Sequence, residues 1–368
     1  MSHLDSTASS GTTLGNNFAV PVRPADPGSN QPRNAKQHPA HHRDNGVLCK
    51  VARKLHGNDG LLSLAVHAFR TLQNLGVSVS PNHYYWPVPD LAALESRDWP
   101  VRSLPAGVDL RLKQQVDRLR NFVSEYGKEW DFPEDKDDGS SYHYNNGFFE
   151  GVDAEIAYSF VRKRRPAHIV EVGGGFSTRV MAAALRTNLQ AGENRGELIT
   201  IDPFPDRLPE SGLDGRMRVI PRPVQQIPPE IFSSLQRDDI LFLDSSHVVS
   251  IGSDVVYEYL DILPRLQSGV LVHVHDVFLP SDYPREAVLK NLCFWSEQYL
   301  LQAFLAFNRE FEVLWSSSAM QLFFPEVLEK AFPRWPQSYL KMARDKRRFV
   351  PTIDGQRTWP SSFWMRRI

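Results

Sequence analysis

Residues Ala167 to Arg179, reading Ala-His-Ile-Val-Glu-Val-Gly-Gly-Gly-Phe-Ser-Thr-Arg, constrain the fold more than any other stretch of the chain. His168 to Val172 reads as a buried strand, the three glycines as a turn, and the residues from Ser177 onward as a helix. Val180, Met181, Ala184, Leu185 and Leu189 share one helical face, and Ser177 or Thr178 is expected to cap its start. Glycines at a strand-to-helix turn let backbone approach a ligand closely, because no Cβ intervenes. A phosphate at the helix N-terminus is one such ligand. The dinucleotide fingerprint G-x-G-x-x-G is not met, however, since Gly173-Gly-Gly-Phe-Ser-Thr178 lacks the third glycine. Glu171 closes the strand just before the turn, where a carboxylate repels a pyrophosphate and suits a cation. A tight turn in an unrelated α/β protein is the plain alternative.

Downstream, strands and helices keep alternating. Leu198-Ile-Thr-Ile-Asp202 is an apolar strand ending in a carboxylate 31 positions after Glu171, the spacing of one βαβ unit. Arg216 to Ile220 reads as a short third strand. Ile240-Leu-Phe-Leu-Asp-Ser-Ser-His247 is a buried strand delivering Asp244, Ser246 and His247 at its end, and a helix is expected from Ser253 to Leu263. Gly269-Val-Leu-Val-His-Val-His-Asp276 then gives another strand, ending in His275 and Asp276. Alternation places His273 and His275 on one face, with His273 deeper and expected to be a hydrogen-bonded core histidine. Asp244, His247, His275 and Asp276 thus converge where open α/β sheets hold their ligands. Unpaired buried charges are costly, so either a divalent cation or an Asp–His hydrogen-bond network must stabilise them.

The acidic strand-end, glycine turn and second acidic strand-end resemble class I S-adenosylmethionine-dependent methyltransferases. The resemblance implies a doubly wound, mostly parallel, Rossmann-like sheet. It also implies cofactor contacts from Glu171, Gly173, Gly174, Gly175, Ser177, Asp202, Ser245 and Asn146, with Asp202 on the ribose hydroxyls and Pro221 to Gln226 near the adenine. The D-x-x-H of Asp244 and His247, followed by an acidic pair on the next strand, is similar to metal-dependent small-molecule O-methyltransferases of the macrolide-sugar and cephalosporin-biosynthesis type. By that likeness Asp244 and Asp276 bind a divalent metal and His247 is the general base. This chain departs at His275, where that family has glutamate. With Asp244, His275 and Asp276 as ligands, magnesium or a softer ion such as manganese, iron or zinc is implied. The resemblance runs from about residue 80 to the end, taking in Asp276–Pro284, Trp295–Phe304 and Ser361–Met365. Phe311 to Trp315 and Ala319 to Phe324 are expected as two closing strands, the second antiparallel.

The remainder narrows the setting. A formal net charge of −1 gives no global field toward nucleic acid or an anionic membrane, and two cysteines, Cys49 and Cys293, make no disulfide framework. No apolar run approaches the roughly 18 to 20 residues that span a bilayer, and no secretory apolar core is present. A cytoplasmic protein acting on a small molecule is expected, with homo-oligomerisation left open. Residues 1–45 read as a disordered tail, in which His38, His41 and His42 are solvated rather than ligating. Residues 46–150 read as a helical cap with lid loops, with helices at 47–55, 61–75 and 110–126, and residues 151–368 as the catalytic domain. The aromatic segments His83–Asp90 and Tyr142–Phe149 are expected either to cover the acceptor or to pack between cap and core. The basic run Lys341 to Arg348 reads as a solvated helix face, since no aromatics interleave it. Two rival functions remain: a non-haem iron oxygenase using His247, His275 and a carboxylate, and a non-catalytic scaffold.

Overall fold

The computed structural model describes residues 59–79, 87–97, 99, 104–136, 142–192, 196–205, 208, 215–334, 352–353, 356–357 and 360–368. The N-terminal tail, the helix expected at 47–55, residues 80–86 of the first aromatic loop and the basic run at 341–348 lie outside the described residues. The chain divides into two compact units, residues 1–77 and 78–368. In the first, Asp59–Asn74 forms helix α1, followed by Gly76 at φ +78°. Among the described residues no helix is long and apolar enough to cross a membrane.

The second unit is built on a seven-stranded sheet. Its strands are β1 His168–Val172, β2 Glu197–Ile201, β3 Met217–Ile220, β4 Ile240–Leu243, β5 Leu271–Val274, β6 Phe311–Ser316 and β7 Phe363–Arg367. Their order is β3-β2-β1-β4-β5-β7-β6, and β7 alone runs antiparallel to its two neighbours. The flanking helices are α2 Leu91–Glu95, α3 Leu112–Tyr126, α4 Asp153–Arg164, α5 Phe176–Gln190, α6 Glu230–Ser233, α7 254–265, α8 Arg285–Asn291, α9 Glu297–Leu305, α10 Ser317–Phe323 and α11 Pro325–Ala331. α7 starts as an α-turn at Asp254–Tyr257, widens to a π-turn at Glu258–Ile262 and tightens to a 3₁₀ turn at Leu263–Arg265.

Parallel strands covered on both faces need near-continuous apolar sequence, and these have it. Their period of two sorts the side chains into two cores. Ile169, Leu198, Ile240, Phe242 and Leu271 pack with Leu119 and Phe122 of α3, Ile156 and Phe160 of α4, and Val180, Met181 and Leu185 of α5. Val170, Val172, Ile201, Leu241, Leu243, Val272 and Val274 pack with Tyr259 and Ile262 of α7 and Leu301 and Leu305 of α9. The result is the expected doubly wound, mostly parallel sheet.

Several local expectations change. The antiparallel strand is not Ala319–Phe324, which falls in α10 instead. Ser316 caps α10 by accepting from the Ala319 N–H. Phe363, Trp364 and Met365, all fully buried, supply the antiparallel strand and slot between β5 and β6. The N-cap of helix α5 is Gly175, and Thr178 closes the start from the third helical position, its hydroxyl accepting from the Gly175 N–H at 2.8 Å. α3, read as a cap helix that buries against the catalytic domain, places Val116, Leu119 and Phe122 in the same core as α4 and α5. The Tyr142–Phe149 loop also joins that core: Tyr142, Tyr144 and Phe149 are buried, and Phe132 meets Tyr142 and Tyr144 edge to face at 4.8 and 5.8 Å. Its packing role is therefore real, and Phe149 also reaches to 5.3 Å from the ring of His275.

Candidate functional site

The carboxyl ends of β1, β2, β4 and β5 meet at one edge of the sheet. Strand order reverses there, because β1 leads to β2 on one side and has β4 on the other. A crevice outside such a reversal is where this architecture binds ligands.

The glycine turn lines that crevice. Gly173 sits at φ +78°, and a Cβ built on it would lie 1.9 Å from the Asp244 carbonyl oxygen, so only glycine fits. A Cβ on Gly174 would meet Thr200 Cγ2 at 2.5 Å, whereas one on Gly175 would meet nothing within 4 Å. The turn is thus packed onto β2 and the end of β4 while Gly175 opens outward. Asp202 braces it: Oδ2 accepts from the Gly174 N–H at 2.9 Å and Oδ1 from the Phe204 N–H at 2.7 Å. A carboxylate has about four acceptor positions, so these two bonds leave capacity for ribose hydroxyls.

Glu171 does not face the crevice. It is fully buried, with Oε1 accepting from the Ser177 hydroxyl at 2.7 Å and Oε2 from the hydroxyls of Thr178 at 2.6 Å and Thr200 at 2.8 Å. This carboxyl ties β1, β2 and α5 together beneath the turn, and the same bond turns Ser177 inward. Burial pushes its pKa up to about 7, against the opposing pull of the three hydroxyls. A carboxyl with a raised folded-state pKa favours folding below its ordinary value of 4.5, and that contribution is lost as pH rises through about 7. Relative to Glu171→Gln, the wild type should therefore lose roughly 2 to 3 kcal/mol of unfolding free energy between about pH 4.5 and pH 8. Urea titrations across that range test this; a constant difference would show that Glu171 is charged throughout.

Two further expected cofactor contacts are also engaged internally. Asn146 donates to the carbonyls of His143 and Phe149 and accepts from the N–H groups of Phe148 and Phe149, so its amide organises its own loop. The Ser245 hydroxyl donates to Glu258 at 3.0 Å. Local sequence shows an amide or a hydroxyl near the turn, but not the neighbour that takes it up.

The ends of β4 and β5 do bring Asp244, His247, His275 and Asp276 together. His247 Nε2 lies 3.3 Å from Asp244 Oδ1 and 3.5 Å from Asp276 Oδ2, and His275 Nδ1 lies 3.4 Å from Asp244 Oδ1. His247 and Asp276 hold left-handed backbone, at φ +60° and +52°. Such conformations are uncommon for these residues and concentrate at functional sites. Both imidazole side chains are 8% exposed, whereas Asp244 and Asp276 keep 30% and 23%. What a ligand meets first is therefore carboxylate.

Burial by itself pushes both imidazoles toward neutrality. Against it, hydrogen bonds to Asp244 and Glu297 with the charge of Asp276 hold His247 well above its ordinary value, and the charges of Asp244 and Asp276 raise His275 to about 9. For Asp244, burial favours the neutral acid, but the His275 charge and hydrogen bonds from both imidazoles hold it well below the carboxylate range. His273, one turn of the pleat deeper, is the core histidine expected. It bonds Ser362 Oγ at 2.8 Å, stacks on Phe242 at 3.7 Å, and burial holds it well below its ordinary pKa.

Among the described residues, no group of three or more His, Cys, Asp or Glu side chains is arranged to hold a metal ion. The divalent ion implied at Asp244, His275 and Asp276 thus finds no support, and neither does the two-histidine facial set of the oxygenase reading. Imidazole stands between the carboxylates and supplies the positive charge itself.

Two buried acids were missed from sequence. Glu297, in the first turn of α9, has Oε2 2.8 Å from His247 Nδ1. Asp153, in the first turn of α4, accepts from Ser317 Oγ and the N–H groups of Ser361 and Ser362, and lies 3.9 Å from His275 Nε2. The only sequence signal was an acid in a helical first turn, a common placement.

Residues 170–277, from β1 to just beyond β5, match the family model of a methyltransferase domain. An uncharacterised protein of Archaeoglobus fulgidus is 27% identical over 177 residues, covering 46% of this chain and 78% of that protein. Among solved structures, the methyltransferase PaMTH1 of Podospora anserina, bound to S-adenosylhomocysteine, is 16% identical, with a TM-score of 0.31 over 65% of this chain and 93% of its own. A putative protein-L-isoaspartate O-methyltransferase from Plasmodium falciparum, also with S-adenosyl-L-homocysteine, is 16% identical, with a TM-score of 0.25 over 46% and 78%. The family match, spanning the strands that carry the turn and the cluster, supports a methyltransferase domain over these residues.

Proposed function

We propose that this chain transfers the sulfonium methyl of S-adenosylmethionine to an oxygen of a small-molecule acceptor, with His247 as the base. The observation that carries this reading is the contact between Gly173 and the Asp244 carbonyl, which puts the cofactor turn and the acid–imidazole cluster on one rim. The nucleoside end would lie along Gly173 to Gly175, with its ribose on Asp202. Its sulfonium would then face the accessible carboxylates of Asp244 and Asp276, which stabilise a cation.

The acceptor oxygen attacks the methyl carbon in line. The carbon–sulfur bond breaks, sulfur keeps the electron pair as a neutral thioether, and the hydroxyl proton passes to His247 Nε2. The residues' share of this is alignment and proton removal. A base must be neutral, and in the ligand-free cluster His247 is held toward its charged form. An arriving sulfonium offsets the carboxylates that hold it there and lowers its pKa toward neutrality. A carboxylate acceptor would need no base, so the hydroxyl case is the one His247 serves.

Calorimetry with S-adenosylmethionine tests the reading directly. The wild type should bind, and Asp202→Ala, folded by its melting curve, should bind about 1.5 to 3 kcal/mol more weakly, as for loss of a charged hydrogen-bond partner. A wild type that does not bind, or equal affinities in the two proteins, would overturn it.

A further inference from the structure

Among the buried acids that the reaction leaves unused, Glu297 makes the shortest contact with His247. The segment Ser296–Glu297 holds that histidine at two points. The N–H groups of Ser296 and Glu297 donate to the His247 carbonyl at 2.8 and 3.1 Å, and the Glu297 carboxyl meets Nδ1 at 2.8 Å. The other carboxyl oxygen accepts from the Tyr259 hydroxyl at 3.1 Å. Tyr259 comes from the π-turn of α7, where one extra residue per turn re-aims side chains. Trp295 closes the remaining side, its ring edge-on to the imidazole at 5.2 Å. Glu297 is 2% exposed, so little solvent competes for these bonds.

The consequence concerns which ring nitrogen is basic. A carboxylate on Nδ1 accepts a proton from it, so the neutral imidazole keeps Nδ1–H and leaves its lone pair on Nε2. Nε2 is the nitrogen that points toward Asp244 and Asp276, at the rim of the crevice. The left-handed backbone of His247 needs surroundings that fix it, and the double hold from Ser296–Glu297 provides them.

We infer that Glu297, braced by Tyr259, is the positioning residue for His247: it fixes the Nδ1–H tautomer and aims Nε2 at the acceptor. The inference rests on the reading of His247 as the base. Glu297 never touches substrate in this scheme, so its loss should change turnover and spare binding.

Steady-state kinetics on Glu297→Gln, Glu297→Ala and His247→Ala, with ring ¹⁵N NMR of His247, separate the possibilities. Glu297→Gln is close to isosteric and guards against misfolding of the alanine variant. It should lower kcat roughly 10- to 100-fold, the scale of a misdirected catalytic group, with KM for cofactor and acceptor nearly unchanged. In wild type at alkaline pH the ¹⁵N spectrum should show Nδ1 protonated, and Glu297→Ala should show a mixture of tautomers. Unchanged kcat in both Glu297 variants alongside an inactive His247→Ala would overturn the inference. So would a wild-type ring protonated at Nε2. If His247→Ala retains full turnover, it is the base assignment that fails, and the tautomer still reports whether Glu297 holds the ring.

Discussion

Gly173→Val is expected to cost the chain its fold, and Gly175→Leu to spare the fold and remove cofactor binding. The two glycines are neighbours but one, yet their surroundings are opposite. At Gly173 a side chain must both occupy left-handed backbone and displace the Asp244 carbonyl, which belongs to the end of a central strand and cannot yield. A β-branched residue is least tolerant of that conformation. The loss of unfolding free energy should exceed about 3 kcal/mol, in the range that marks a specific steric failure. At Gly175 an added Cβ meets no protein atom, so thermal unfolding should stay near wild type. The side chain would instead stand where the turn has to approach the cofactor, and affinity for S-adenosylmethionine should fall about 100-fold or more, near 2.7 kcal/mol. Wild-type affinity in a folded Gly175→Leu would remove the cofactor from this turn. The contrast also explains why Gly173→Val alone is a poor probe of binding, since its first casualty is the protein itself.

The reversal at β1 and β4, with acids at the ends of consecutive strands, was legible because fully buried strands must be near-continuously apolar. Every polar residue that interrupts such a run then stands out at its end, as Glu171, Asp202, Asp244 and Asp276 do. What those acids face was less legible. Glu171 reads as a strand-end carboxylate, but whether it turns to a ligand or to protein depends on Ser177, Thr178 and Thr200, which approach from two other elements. Glu297 is 50 residues from His247, inside an ordinary amphipathic helix, and only the docking of α9 brings the two together. β7 failed for a similar reason. Pairing of strands distant in sequence is not written in either one, and Ala319–Phe324 is apolar enough to suggest a strand until Ser316 is seen capping a helix there. Asp244, His247, His275 and Asp276 read either as a metal site or as an Asp–His network, and only the distances, with imidazole nitrogens 3.3 to 3.5 Å from the carboxylates, favour the network.

The charge balance of that network bears on the largest kinetic effect expected, which is at His247. His247→Ala should lower kcat by about 10²- to 10⁴-fold for a hydroxyl acceptor, the usual worth of a general base, while calorimetry shows cofactor affinity unchanged or nearly so. The sign of the pH dependence follows from the cluster. His247 is held above its ordinary pKa in the free protein, and the base form lies above that pKa, so kcat/KM should climb with pH through and beyond neutrality. With cofactor bound, the sulfonium offsets Asp244 and Asp276, so the limb in kcat should fall at lower pH than the limb in kcat/KM. Coincident limbs would show that the cofactor's charge is not felt at this histidine. Because His247 and His275 supply the cationic charge between the carboxylates, turnover should also survive exhaustive chelation. Loss of turnover on chelation, restored by a single divalent ion, would put an ion back between Asp244 and Asp276 and recast the imidazoles as its ligands. Normal turnover in a folded His247→Ala would end the base assignment whichever way the chelation result falls.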